Sequence, residues 1–162
     1  MSTLTDYAVE RATAAQIAAS PAIERAAAER FRGWNVPDAI VQEATPSSVL
    51  QAARAAGLLW VALDRGGDPV GFACVESAPQ RVHHKELDVH PDHGRRGIGT
   101  ALFRAVEHWA IASERGEVTL TTPNECQVLA PDFCWVSSQC RVRHVAPAAG
   151  SFPRAYPRPP LL

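Results

Sequence analysis

From Leu58 onward the chain alternates apolar runs with turn signals. Leu58 to Asp64 and Pro69 to Ser77 are rich in apolar and β-branched residues, and Arg65-Gly66-Gly67-Asp68 between them predicts a hairpin. Ala78-Pro79-Gln80 marks a second turn, and Val82 to Val89 reads as the next strand. Upstream the period changes. Ser20-Pro21 offers a cap followed by proline at the first helical position, and Ile23, Ala27 and Phe31 form one stripe on a helix from Pro21 to Arg32. Thr45-Pro46 repeats the start signal, Val49, Leu50 and Ala53 supply an apolar face, and Gly57 ends that helix. Tyr7 to Arg11 is short and extended. Downstream, Leu102, Val106 and Trp109 line a helix that ends near Gly116, and Val118 to Thr122 is a further strand. This order suits a mixed α/β sheet flanked by helices.

Between the strand ending at Val89 and the helix carrying Leu102 lies Pro91-Asp92-His93-Gly94-Arg95-Arg96-Gly97-Ile98-Gly99-Thr100. A glycine-rich turn opening a helix presents backbone N–H groups without carbonyl partners, and the helix dipole adds partial positive charge. The N–H groups from Arg95 to Thr100 are the candidates. Gly97 and Gly99 carry no side chain to hold a phosphate away, and Arg95 and Arg96 can neutralise its charge. A pyrophosphate suits such a site. The P-loop does not fit, because Gly94 to Thr100 contains no lysine. Nor does the dinucleotide fingerprint, since Leu102 stands where its third glycine belongs.

Val89-His90-Pro91 followed by Gly94-Arg95-Arg96-Gly97-Ile98-Gly99 resembles the coenzyme-A motif of the GCN5-related N-acetyltransferases, the GNAT superfamily. Members typically carry Arg or Gln where this chain has Gly94, a departure that removes a side chain but leaves the backbone cradle. The resemblance spans about Tyr7 to Thr122. It implies a mixed central sheet in which two parallel strands, here Val82 to Val89 and Val118 to Thr122, splay beside the motif. Pro91 cannot donate to a ladder and suits the point where pairing stops. The freed backbone groups of Leu87 and Val89 would then bind the pantetheine arm, with Arg95, Arg96, Gly97, Ile98, Gly99 and Thr100 at the pyrophosphate. Acetyl-CoA is the implied co-substrate, and a primary amine of a small molecule or peptide is the implied acceptor, attacked directly.

Such a reaction needs a base for the amine and a donor for the leaving thiolate. Strict alternation places Leu87 and Val89 on one face and His84, Glu86 and Asp88 on the other. Glu86 lies nearest to the position where family members often carry a catalytic glutamate; an ordinary ion pair in the sheet is the competing reading of this residue. His84 and His90 are the other candidates. His83, His84, His90 and His93 match no usual metal-ligand spacing, and no metal is assigned. Cys74 lacks an activating partner in sequence and reads as a small core residue. By analogy the loop from Gly33 to Gln42, with Trp34 and Asp38, borders the acceptor.

The chain has 162 residues, 46% of them apolar and 20% charged, with a net charge of -1, as expected of a globular domain with no general attraction to nucleic acid or membranes. Met1 to Glu10 shows no secretory pattern, which predicts a cytoplasmic protein with reduced cysteines. A homodimer is a further expectation from the family.

After Thr122 the resemblance stops, dividing the chain into a GNAT-like domain over 1–122 and a divergent segment over 123–162. Seven of the 13 prolines and three of the 4 cysteines fall in that segment, and from Ala146 it reads as irregular and disordered. The helix and tyrosine that protonate the thiolate in close relatives are not visible. Three explanations compete: a folded completion of the sheet with Phe133-Cys134-Trp135-Val136 as a strand, a tail read in a changed frame, and a metal site using Cys126, Cys134, Cys140 and His144. The missing tyrosine also raises the alternative of a catalytically impaired CoA-binding or interaction protein.

Overall fold

The computed structural model describes residues 6–32 and 43–121, together with the strand residues 135–136 and 141–145. Among these residues seven strands form one sheet: β1 (Ala8–Arg11), β2 (Leu59–Leu63), β3 (Pro69–Ala78), β4 (Arg81–Val89), β5 (Glu117–Thr121), β6 (Trp135–Val136) and β7 (Arg141–Val145). Their order is β1-β2-β3-β4-β5-β7-β6. Every neighbouring pair is antiparallel except β4 and β5, which are parallel. Among the described residues three α-helices flank the sheet: α1 (Ser20–Ala28), α2 (Ser47–Ala55) and α3 (Ile98–Ala112).

Two cores result, one on each face. Ile23 of α1 and Leu50 of α2 pack with Leu59, Phe72 and Cys74. On the opposite face Leu102, Phe103, Val106 and Ala110 of α3 pack with Val75, Val82, Val118 and Leu120. The cores alternate along β3 because successive strand residues point to opposite faces.

The turns follow their glycines. Gly67 adopts φ +84°, and the Asp64 carboxylate accepts from the N–H groups of Gly66 and Asp68 at 2.8 and 3.0 Å, closing the β2–β3 hairpin. Gly57, at φ +69°, ends α2 with its N–H on the Arg54 carbonyl. Both helix starts differ from expectation. Ser20 is a buried helical residue whose N–H bonds the Ile17 carbonyl, because the 3-10 turn Gln16–Ala19 runs straight into α1 and leaves no orphan donor to cap. Thr45 does not cap α2 either; it binds a carboxylate of α1.

Beyond residue 122, β7 pairs with β5 and β6 with β7. The rest of that segment, including Cys126, Cys134, Cys140 and the run from Ala146, lies outside the described residues, as do Trp34 and Asp38.

Candidate functional site

The site is organised by β4. Its pairing with β3 matches Cys74 to Glu86 but Val75 to His84, so Lys85 is an extra residue, a β-bulge. The bulge breaks the alternation. His84 faces α3, its ring stacked on Phe103 with centroids 5.0 Å apart. Glu86 and Asp88 stand opposite Cys74 and Phe72, on the side of α1. The expected common face for His84, Glu86 and Asp88 is therefore corrected: one inserted residue reverses every side chain beyond it. Leu87 and Val89 pack toward α3.

The same strand loses its neighbour partway along. β4 pairs with β5 from Arg81 to His84 only. The His90 N–H donates to the Val70 carbonyl at 2.8 Å, so by the two-residue alternation of antiparallel bonds the main-chain groups of Leu87 and Val89 point away from β3, toward the gap beside β5.

At the end of β4, Pro91–His93 form a 3-10 turn whose first N–H groups are capped by His90, with Nδ1 accepting from the Asp92 N–H at 3.3 Å. That role accounts for His90. Arg95 has φ 60° and Gly97 φ 80°, left-handed values that turn successive N–H groups inward ahead of α3. Ala101 is the first residue of α3 to bond back, to the Gly97 carbonyl at 2.9 Å, leaving the N–H groups of Ile98, Gly99 and Thr100 without helical acceptors. A Cβ on Gly97 would meet nothing within 4 Å. The cradle is thus open where glycine is needed. Ile98 contributes only its backbone, its side chain being buried. The Arg96 guanidinium donates to the Tyr7 hydroxyl at 2.9 Å, and that hydroxyl lies 3.1 Å from His93 Nδ1. Arg96 is thereby anchored to β1's approach, and both arginine side chains are exposed.

On the α1 side three carboxylates gather: Glu24, Glu86 and Asp88. Thr45 donates its N–H and its hydroxyl to Glu24 at 2.8 and 3.1 Å and also hydrogen-bonds Glu86. Burial, reinforced by the Glu24 charge, pushes Glu86 up to about 7. Burial, then the charges of Glu86 and Glu24, raise Asp88 to about 8, and its Oδ2 is buried without a hydrogen-bond partner among the described residues. A carboxylate titrating near neutrality can accept a proton from an amine at physiological pH. Glu24, Thr45 and Asp88 were not singled out in the sequence as parts of this site. A glutamate between Ile23 and Ala27 on a stripe destined for burial was the available signal.

The histidines disperse. His83 Nδ1 lies 2.8 Å from the Thr119 hydroxyl, His84 faces α3, and no group of three potential metal ligands occurs among the described residues. Cys74 is buried beside Glu86, and burial raises its thiol to about 11, which keeps it protonated and unreactive.

Comparison with known proteins fits this geometry. The PaiA N-acetyltransferase of Thermoplasma acidophilum, solved with coenzyme A, superposes with a TM-score of 0.72 at 12% identity, covering 86% of this chain and 98% of that one. A GNAT family acetyltransferase from Brucella melitensis, in complex with acetyl-CoA, gives 0.62 at 16% identity over 94% and 92% of the chains. The yncA structure from Salmonella typhimurium, with acetyl-CoA, gives 0.63 at 15% identity over 94% and 100%. The family model described as Acetyltransferase (GNAT) family matches residues 21–130. With the bulged β4, the open glycine cradle and a match over more than half its length, this chain belongs to the acetyltransferase (GNAT) family.

Proposed function

We propose that the chain transfers the acetyl group of acetyl-CoA to a primary amine of a small molecule or peptide by direct attack. The observation that carries this reading is the convergence on β4 of an open N–H cradle, two residues with free backbone groups and a carboxylate raised to about 7. The co-substrate supplies an activated thioester carbonyl. Backbone N–H groups from Arg95 to Thr100 hold its pyrophosphate, and Leu87 and Val89 hold its amide arm as an added strand would be held. Glu86 accepts the proton of the attacking amine, directly or through a water, and Glu24 attracts the amine as a cation, which sheds its first proton to solvent before attack. The relatives solved with coenzyme A or acetyl-CoA support the cofactor assignment.

Acetyl-CoA-dependent thiol release across a panel of diamines, amino acids and peptide N-termini tests the proposal. Turnover with one class, reduced at least about a hundredfold in Glu86→Gln, is the expected result. Failure of Glu86→Gln to slow turnover refutes the assigned base. A second reading, a CoA-binding protein without turnover, is favoured by the placement of Tyr7. It is one of only two tyrosines in the chain, and it is tied to His93 and Arg96. CoA binding without thiol release from any amine would establish that reading.

A further inference from the structure

His84 is 2% exposed, yet neither ring nitrogen has a hydrogen-bond partner among the described residues. An unsatisfied buried polar group weakens a fold and calls for an explanation. Burial holds the ring neutral, its titration pushed down to about 3, so one nitrogen carries a hydrogen available for donation. The residue's position supplies the explanation. His84 is the last residue of β4 paired with β5, opposite Leu120, and it immediately precedes the Lys85 bulge. It stands where the two parallel strands part, on the face shared with Leu87 and Val89.

The length of the co-substrate places its reactive end there. From pyrophosphate oxygen to sulfur the arm runs through about twelve bonds, equivalent to roughly four extended residues or ~14 Å. Measured back along β4 from Val89, beside the cradle, four residues end at Lys85, adjacent to His84.

Resting on the acetyl-transfer reading above, we propose that the His84 ring N–H donates a hydrogen bond to the sulfur of coenzyme A and stabilises the departing thiolate. As the amine nitrogen bonds the carbonyl carbon, its proton passes to Glu86; the carbon–sulfur bond breaks with its electron pair on sulfur. His84 keeps its hydrogen throughout. The thiolate takes its proton from water, and Glu86 returns its proton to solvent. Tyr7 cannot fill this role, since its hydroxyl is held by Arg96 and His93 at the cradle end of β4.

Nitrogen-15 spectra of histidine-labelled protein test the contact, with His84 assigned by its loss in the His84→Leu variant or, should that not fold, in His84→Asn. Coenzyme A should move the His84 ring signal, and desulfo-coenzyme A, which lacks the sulfur, should leave it in place. Unliganded His84→Leu should melt no lower than the parent, bind coenzyme A within about threefold, and turn over at least about a hundredfold more slowly. His84→Asn, which retains an N–H donor, should recover part of that rate. Equal movement with both ligands, no movement when calorimetry shows coenzyme A bound, or full turnover by His84→Leu each overturns the inference alone. Absence of coenzyme A binding by the folded parent overturns the acetyl-transfer reading and this inference with it.

Discussion

Gly97 and Glu86 carry the proposed chemistry in different ways. At Gly97 the backbone is left-handed and the space around an added Cβ is empty, so Gly97→Ala costs only conformational strain, about 1 kcal/mol, or roughly 2–4 °C in melting temperature. Its effect on coenzyme A affinity should be much larger than its effect on stability, because the methyl group enters the space meant for a phosphate. Calorimetry beside a thermal melt checks the contrast. In the role proposed for Glu86 the reactive form is the carboxylate. The group titrates at about 7, so kcat/KM should rise with pH through that value, be lost as pH falls below it, and lose that inflection in Glu86→Gln. The same shift bears on stability with the opposite sign. Folding raises the affinity of Glu86 and Asp88 for protons, so the native state gains most at low pH and stability declines as pH rises from about 4 toward about 8. Asp88→Asn should therefore raise the melting temperature at pH 8 by about 3 °C or more and change it little at pH 4, as read by melts at both values.

The element that arranges these residues is β4 with its bulge. Deleting Lys85 makes His84 and Glu86 neighbours in an unbroken alternation, so each keeps its face, but it removes the local bend and added twist at the point where β4 leaves β5. Turnover in the deletion should fall about a hundredfold, the scale of a misplacement of roughly 1 Å between reacting groups, whereas Lys85→Ala, which keeps the extra residue and loses only the exposed bond to Glu76, should be nearly silent. Gly71 supports the arrangement from β3. A Cβ there would come within 2.9 Å of the Asp88 carbonyl and 3.3 Å of Leu102, so Gly71→Ala should destabilise by about 1–3 kcal/mol and disturb the strand that carries Glu86. These features also show what was legible in sequence. The strand ending at Val89 and the helix after Gly97 were readable because apolar spacing and left-handed glycine positions are local properties. The face of Glu86 was not, since Lys85 as an exposed bulge residue looks like any outward strand position. Likewise Ser20 and Thr45 carry the chemistry of caps, and only the packing of α1 shows one to be helical and the other to serve Glu24.

Across the whole molecule, the mixed sheet with helices on both faces followed from the order of elements, and the open N–H turn before α3 from one motif. The acidic face followed from neither, because Glu24, Glu86 and Asp88 come from positions that meet only when α1 lies over β4. No helix among the described residues is long and apolar enough to cross a membrane. With a net charge of -1, the recognition proposed above rests on this local field and on the cradle. The tail stood out in sequence through its prolines and cysteines, and β7 shows that part of it takes a place beside β5. The central claim is that the turn before α3 binds the pyrophosphate of acetyl-CoA. Titration of the protein with acetyl-CoA by calorimetry, beside a folded Gly97→Trp variant, tests it most directly. Saturable binding by the parent that is lost in the variant is the predicted result; absence of binding by the folded parent would contradict the account.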